Sequence, residues 1–299
     1  MSFNNNINIT FNNSVIKLKA VIVQPFYLPW MGYFGMIDAA DIFIFADDVQ
    51  FQEKSWQQRN KIKNINNKCK WLTVPVNKNF GQMINETTIN NSIFYKKNVN
   101  RLNWKEKHWD LISLAYSKAP YFDEYKDDIR EIFTKNWEHL PDLDIYATEK
   151  ITELMRLKIP HFVKKTEMEG LKGRKVDSIM NICDIVGADG YISGLAAEAY
   201  IDYNEFQKFK ENNVDLYWFE FTHPVYPQIG NDFIPFLSAI DLLFNTGKKS
   251  RDYIRKSLEN SLKLEDGKSL KMKLYWIIVS YWVYQIIFQI FDNFAEECF

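Results

Sequence analysis

The chain has 299 residues, with 37 basic against 38 acidic side chains and a formal net charge of −1. Its 46% hydrophobic and 25% charged residues lie in the ordinary globular range, which excludes wholesale disorder, collagen-like repeats and disulfide scaffolds. Without an excess of Lys and Arg there is no electrostatic footprint for duplex nucleic acid, so nucleic acid is not expected as the main partner.

Residues 1–18 are rich in Asn and lack an apolar run, so a disordered tail is expected there, with none of the features of a secretory signal. Ala20 to Val23 is a β-branched run ended by Gln24-Pro25, the pattern of a buried strand that stops at a loop. Trp30 to Ala40 reads as a helix and Ile42 to Phe45 as a second buried strand, which makes a βαβ unit with parallel strands. The apolar run Trp71 to Val76 is expected to bring a third loop to the same sheet edge. In open α/β sheets the ligand lies beyond the carboxyl ends of the strands, so Gln24–Trp30, Ala46–Lys63 and Pro75–Gly81 fall where a site is expected.

Residues 95–158 follow the helical period and are divided by Ala119-Pro120 and Leu140-Pro141 into about three helices, read as an insertion packed on the sheet. Strand and helix then alternate again: Phe162-Val163, a helix over 175–186, a strand over 190–193, a helix over 204–212, a strand over 215–221 and a helix over 235–245. The expected fold class is α/β, a mostly parallel sheet with flanking helices and a helical insertion at 95–158. The main domain is expected over 19–250, followed by a helical extension over 251–299.

Several segments can carry chemistry. The loop from Gln24 to Phe34 combines two prolines, a side-chain amide and the aromatics Tyr27 and Trp30, which can wall a nucleobase or a sugar. Phe26, Trp30 and Phe34 also fit a core, whereas Gln24 and Tyr27 are harder to explain there. Asp47 and Asp48 follow the second strand. They either cap a turn, accept a proton, or hold Mg²⁺ as a candidate ion. Arg59, Asn60 and Lys61 lie close by in sequence, and a guanidinium beside an ammonium suits phosphate recognition. The Ser193-Gly194 turn can bring backbone N–H groups close to a ligand. His223 lies in a proline-fixed loop with Tyr226 and Gln228, where an imidazole titrating near neutral pH can act as general base. His108, His139 and His161 read as structural. The cysteines Cys69, Cys183 and Cys298 are odd in number and far apart, with no metal-ligand spacing, and fit a reducing, cytoplasmic compartment.

Taken in order, Gln24-Pro-x-Tyr-Leu-Pro-Trp-x-Gly-Tyr-Phe34, Asp47-Asp-Val-Gln-Phe51, Trp56-x-x-Arg-Asn-x-Ile62, Trp71-Leu-Thr-Val-Pro-Val76, Ala119-Pro-Tyr-Phe122, Ile182-Cys-x-x-x-Gly-Ala-Asp189, Tyr191-x-Ser-Gly194, His223-Pro-Val-Tyr-Pro-Gln228 and Leu237-Ser-x-x-Asp-Leu-Leu-Phe-Asn245 resemble the WbqC-like protein family, over about residues 19–247. The resemblance implies a role in bacterial surface-polysaccharide synthesis (O-antigen, lipopolysaccharide or capsule), as an acyl or aminoacyl transferase acting on a nucleotide-linked amino sugar. An activated acyl or aminoacyl donor is implied with it. Ser178 stands where the family pattern leads one to expect a basic residue. A nucleotidyltransferase of the HIGH type is an alternative, although Tyr27-Leu-Pro-Trp30 replaces the paired histidines. A non-catalytic binding or scaffold protein of a polysaccharide assembly is another.

The last 30 residues stand apart. They hold Tyr275, Trp276, Tyr281, Trp282, Tyr284, Phe288, Phe291, Phe294 and Phe299, and Leu274 to Phe291 carries no formal charge. As a helix this stretch would reach about 27 Å, at the lower limit of a membrane span. Three readings stay open: a helix lying on the inner membrane, a helix docked on protein, and a true span.

Overall fold

The structure, a computed structural model, describes residues 17–97 and 100–273 together with the pairs 10–11 and 14–15. Within the expected tail, Thr10–Phe11 (β1) pairs antiparallel with Ser14–Val15 (β2). The aromatic stretch 274–291 lies outside the described residues. Among the described residues no helix is long and apolar enough to cross a membrane.

The predicted βαβ opening is present as Lys19–Val23 (β3), Met31–Ala39 (α1) and Ile42–Phe45 (β4), with β3 and β4 parallel. Gly32 and Gly35 serve packing in α1. A side chain at 32 would fall on the Trp30 indole, and one at 35 would press on Phe219 and Phe221.

Two departures follow. Arg59–Lys63 (β5) and Cys69–Thr73 (β6) form a separate antiparallel hairpin, so the Trp71 run is not a third strand of the main sheet. The reason is local. The Asn-rich tip closes a turn, with Asn64 donating its N–H to the Lys68 carbonyl at 2.9 Å and Asn67 at φ +55. Phe94–Lys97 (β7) and Asn100–Asn103 (β8) form a second hairpin where helix was expected. Helix starts only at Trp104, because Asn103 accepts the Glu106 N–H while Glu106 accepts that of Asn103. Trp104–Tyr116 (α2), Phe122–Thr134 (α3) and Leu140–Leu154 (α4) are the three helices. Pro141 falls in the first turn of α4, where its missing N–H costs no bond.

The remainder runs His161–Lys164 (β9), Val176–Val186 (α5), Gly190–Gly194 (β10), Tyr203–Glu211 (α6), Asp215–Phe219 (β11), Ala239–Thr246 (α7), Ser250–Leu258 (α8) and Leu262–Leu264 (β12). Helix α7 starts later than expected, because Ser238 and Ala239 donate their N–H groups outward to Lys61 and Pro29 carbonyls. Those bonds, with the bridge between Ser238 and Trp30, hold the start of α7 against two loops.

The six strands lie in the order β12-β11-β10-β3-β4-β9, parallel except for β12. The chain winds outward from β3 through β4 to β9, then returns to the other side of β3 for β10 and β11. This is the doubly wound order, and its reversal point lies between β3 and β10. Strand alternation divides the core. Val21, Phe43, Phe45 and Ile192 pack in one layer with α1 to α4, α7 and α8. Ala20, Ile42, Ile44 and Tyr191 pack in the other with α5 and α6.

Candidate functional site at the strand ends

The reversal point opens at the carboxyl ends of β3 and β10. There Gln24 accepts a bond at Oε1 from Gln57 Nε2 at 2.7 Å, while its backbone carbonyl accepts one from the Tyr33 hydroxyl at 3.0 Å. Gln57 is fully buried, so this amide is fixed. Across the switch, a Cβ built on Gly194 would meet nothing within 4 Å, which marks open space at the end of β10. Ser193 beside it is buried, its hydroxyl directed to the Gly194 carbonyl at 3.5 Å.

On the β4 side, both Asp47 oxygens are taken by Thr166, from its N–H at 3.0 Å and its hydroxyl at 2.5 Å. Asp48 pairs with Lys165 at 2.7 Å and keeps a buried Oδ1 without a partner. The two carboxylates thus clamp the turn after β9, the capping alternative of the three. Each Asp47 oxygen accepts one bond from Thr166. Among the described residues no three His, Cys, Asp or Glu side chains gather as ion ligands.

The Gln24–Trp30 loop corrects two expectations. Tyr27 does not face a ligand: it is fully buried, with its hydroxyl 2.8 Å from His108 Nδ1 and its N–H on the Trp56 carbonyl. Burial pushes the Tyr27 hydroxyl well up and the His108 imidazole down to about 3, so both are neutral. Asn60 is buried as well, and its amide donates to the Leu28 carbonyl at 2.6 Å. That bond holds Leu28 at φ +42, a conformation a branched side chain rarely takes. Both residues shape the loop from behind.

Arg59 and Lys61 alternate with Asn60 and point to the outer side of the hairpin. The Arg59 guanidinium lies 4.1 Å over the Trp71 ring, and Lys61 Nζ is 5.7 Å from Trp71 and 5.8 Å from Trp56. Trp30 is half-buried and stacks at 6.5 Å and 11° on His223.

His223 is enclosed by Trp30, Tyr226, Phe233 and Phe236. Its Nδ1 donates to the Pro224 carbonyl at 2.9 Å and its Nε2 accepts the Phe236 N–H at 3.1 Å. Burial lowers its pKa, which keeps the ring neutral. Tyr226 is buried and donates to Asp241 Oδ1 at 2.8 Å; Tyr116 donates to Oδ2 at 2.8 Å. Gln228 clasps both the N–H and the carbonyl of Ile234.

Sequence reasoning missed Tyr116, Asp241, Asn245 and Asp144. Asp241 and Asn245, polar and four apart in the apolar run Leu237 to Thr246, were the readable signal. Asn245 accepts the Ile229 N–H and donates to the Asp241 carbonyl, tying the His223 loop to α7. Asp144 is fully buried with neither oxygen bonded, and burial drives its pKa well upward, so it is held as the acid.

Sheet order and strand-end loops define a doubly wound α/β protein whose candidate site lies between β3 and β10. The model of the WbqC-like protein family matches residues 24–253, and the chain belongs to that family. The matched span takes in every candidate residue named above. The chain is also similar to "Uncharacterized protein Rv1507c" of Mycobacterium tuberculosis (strain ATCC 25618 / H37Rv), 32% identical over 241 residues, which cover 79% of this chain and 97% of that protein. No solved structure matches.

Proposed function

We infer that the chain is a transferase that acylates or aminoacylates the amine of a nucleotide-linked amino sugar in surface-polysaccharide synthesis. The observation that carries this reading is the open space at Gly194, at the end of the strand that pairs with the one leading to Gln24, whose amide is joined through Gln57 to a hairpin that presents Arg59 and Lys61. A crevice at a switch point receives the sugar, and the two cations receive its diphosphate. Nothing in the sequence matches GxxxxGK[ST], so the donor arrives preactivated as a thioester or aminoacyl ester.

In this reading the sugar amine attacks the donor carbonyl, a C–N bond forms, and the C–S or C–O bond to the carrier breaks. The amine proton passes to His223 Nε2 and then to the departing thiolate or alkoxide. Nε2 receives the Phe236 N–H in the resting arrangement, so substrate exchanges one hydrogen bond for another. A neutral imidazole suits that role. The test is incubation of the purified chain with nucleotide-linked amino sugars and acyl thioesters, reading amide product and free thiol by mass. Product with the unsubstituted chain and a loss of about 100-fold or more with His223→Ala is expected. No amide with any donor overturns the reading, and full turnover by His223→Ala removes the assigned base.

A further inference from the structure

The outer face of the β5–β6 hairpin combines features that packing alone does not require. Lys61 stands directly opposite Trp71 in the hairpin register, and Arg59 lies diagonal to it. The Trp56 and Trp71 rings are 5.8 Å apart at 47°, and Trp71 is 40% exposed. Arg59 Nε is buried without a hydrogen-bond partner. Among the described residues no carboxylate pairs with Arg59 or Lys61, although other lysines of the chain, such as Lys78, Lys158 and Lys165, are paired. Two uncompensated cations therefore rest on an indole pair of which Trp71 is exposed and Trp56 half-buried. Cations over indoles gain a modest attraction at such sites, which orders them without neutralising their charge.

We propose that this face is a nucleoside diphosphate platform, on which Trp71, backed by Trp56, stacks the base while Arg59 and Lys61 neutralise the diphosphate. The two cations match the two phosphate groups in number. Stacking on an aromatic face accepts any base, and the Arg59 guanidinium, which rests 4.1 Å over the Trp71 ring, yields that face to the base as it turns to the phosphates. A nucleic-acid strand is disfavoured, because the basic stripe stops after Lys61: Lys63, the next residue in line, is buried and spends its ammonium on the Asp232 carbonyl. A chain of net charge −1 offers no longer track. The platform begins one residue from Gln57, whose amide grips Gln24 at the switch point. Nucleotide and sugar halves of one ligand thus have adjoining seats. The proposal rests on the nucleotide-sugar reading for the class of ligand.

The test is calorimetric titration of the full chain with UDP, ADP, GDP and CDP, each alone, at low and high salt. At least one diphosphate binds, and its affinity falls with salt. Trp71→Ala weakens binding about tenfold or more, Trp71→Phe restores most of it, and Arg59→Gln weakens it while flattening the salt dependence. Circular dichroism of each variant matches the parent, and Lys61→Gln, which alters charge alone, gives a second reading of the same face. Absence of binding by all four diphosphates, or parent affinity in Trp71→Ala and Arg59→Gln, overturns the platform. Product formation separates the two readings: unchanged turnover in Trp71→Ala with intact diphosphate binding sinks the platform alone. Diphosphate binding lost in Trp71→Ala, by a chain that acylates no sugar, sinks the transferase reading alone.

Discussion

Tyr226 donates its hydroxyl to Asp241 Oδ1 at 2.8 Å across 15 residues of chain, and this buried bond joins the loop that carries His223 to helix α7. Tyr116 of α2 donates to the other oxygen at the same distance. One carboxylate thus sets the mutual position of the helical insertion, the last large loop and α7. Buried polar networks of this kind specify a unique arrangement when each member is satisfied.

Removing the Tyr116 hydroxyl leaves Asp241 Oδ2 without its buried donor, and removing that of Tyr226 leaves Oδ1 only the longer bond from Asn245 Nδ2 at 3.4 Å. Tyr226→Phe and Tyr116→Phe are each expected to lower stability by about 1–3 kcal/mol in urea unfolding. Because the two share one carboxylate, the double variant loses less or more than the sum, with a coupling of at least ~0.5 kcal/mol. Strict additivity would contradict a shared network.

Asp241 is also a pH sensor of stability. Burial raises its pKa from 3.8 to about 6 despite the two tyrosine bonds and the nearby Lys63 ammonium. The folded state then binds this proton more tightly than the unfolded chain. Its contribution is full below about pH 4 and is lost as pH rises through about 6. Asp241→Asn removes the titration. The stability difference between parent and variant is therefore expected to be larger in the parent's favour at low pH than at neutral pH, measured by urea unfolding across that range. Asp144 and Glu149 shift in the same direction but are present in both proteins and cancel.

Asp47 holds Thr166 through both oxygens. Asp47→Ala is expected to cost about 1–3 kcal/mol, and Thr166→Val a smaller part of that, because one of the two bonds survives. Hydrogen exchange confined to the turn after β9 checks the location. Unchanged stability in Asp47→Ala would contradict the clamp and return the carboxylate to chemistry.

Gly194 is extended, at φ −69 and ψ 154, so a β-branched residue suits its backbone, and its missing side chain borders open space. Gly194→Val is expected to change stability by less than about 0.5 kcal/mol. The same substitution puts a side chain into that space and is expected to lower turnover of a nucleotide-linked amino sugar about tenfold or more, while diphosphate binding at Trp71 survives. A parent-like turnover would move the sugar away from the switch point.

Much of the fold was legible because period and punctuation agree with it. Ala20 to Val23 and Ile42 to Phe45 are apolar on both faces, as strands covered by helices must be. The two hairpins escaped for opposite reasons. In Cys69–Thr73 the apolar composition hid an alternation in which only Leu72 is buried, and in 94–103 a helical spacing ran unbroken across the Asn103 cap. The candidate site was legible as a set of loops but not as a geometry. His223 and Gln228 share one proline-fixed loop in sequence, but the long-range bonds that shape that loop, from the Phe236 N–H to His223 Nε2 and between Gln228 and Ile234, cannot be read there. Tyr27 looks exposed beside two prolines, and only the long-range contact with His108 reveals it as core. Nor does sequence show that Arg59 and Lys61 meet Trp71, because that meeting depends on the hairpin register.

The most direct measurement is a ligand-bound crystal structure of the full chain with a UDP-linked amino sugar. Diphosphate density against Arg59 and Lys61, with the sugar amine between Gln24 and Gly194, is the expected result. A ligand seated elsewhere, with the space beside Gly194 empty, would contradict the assignment of the switch point as the site.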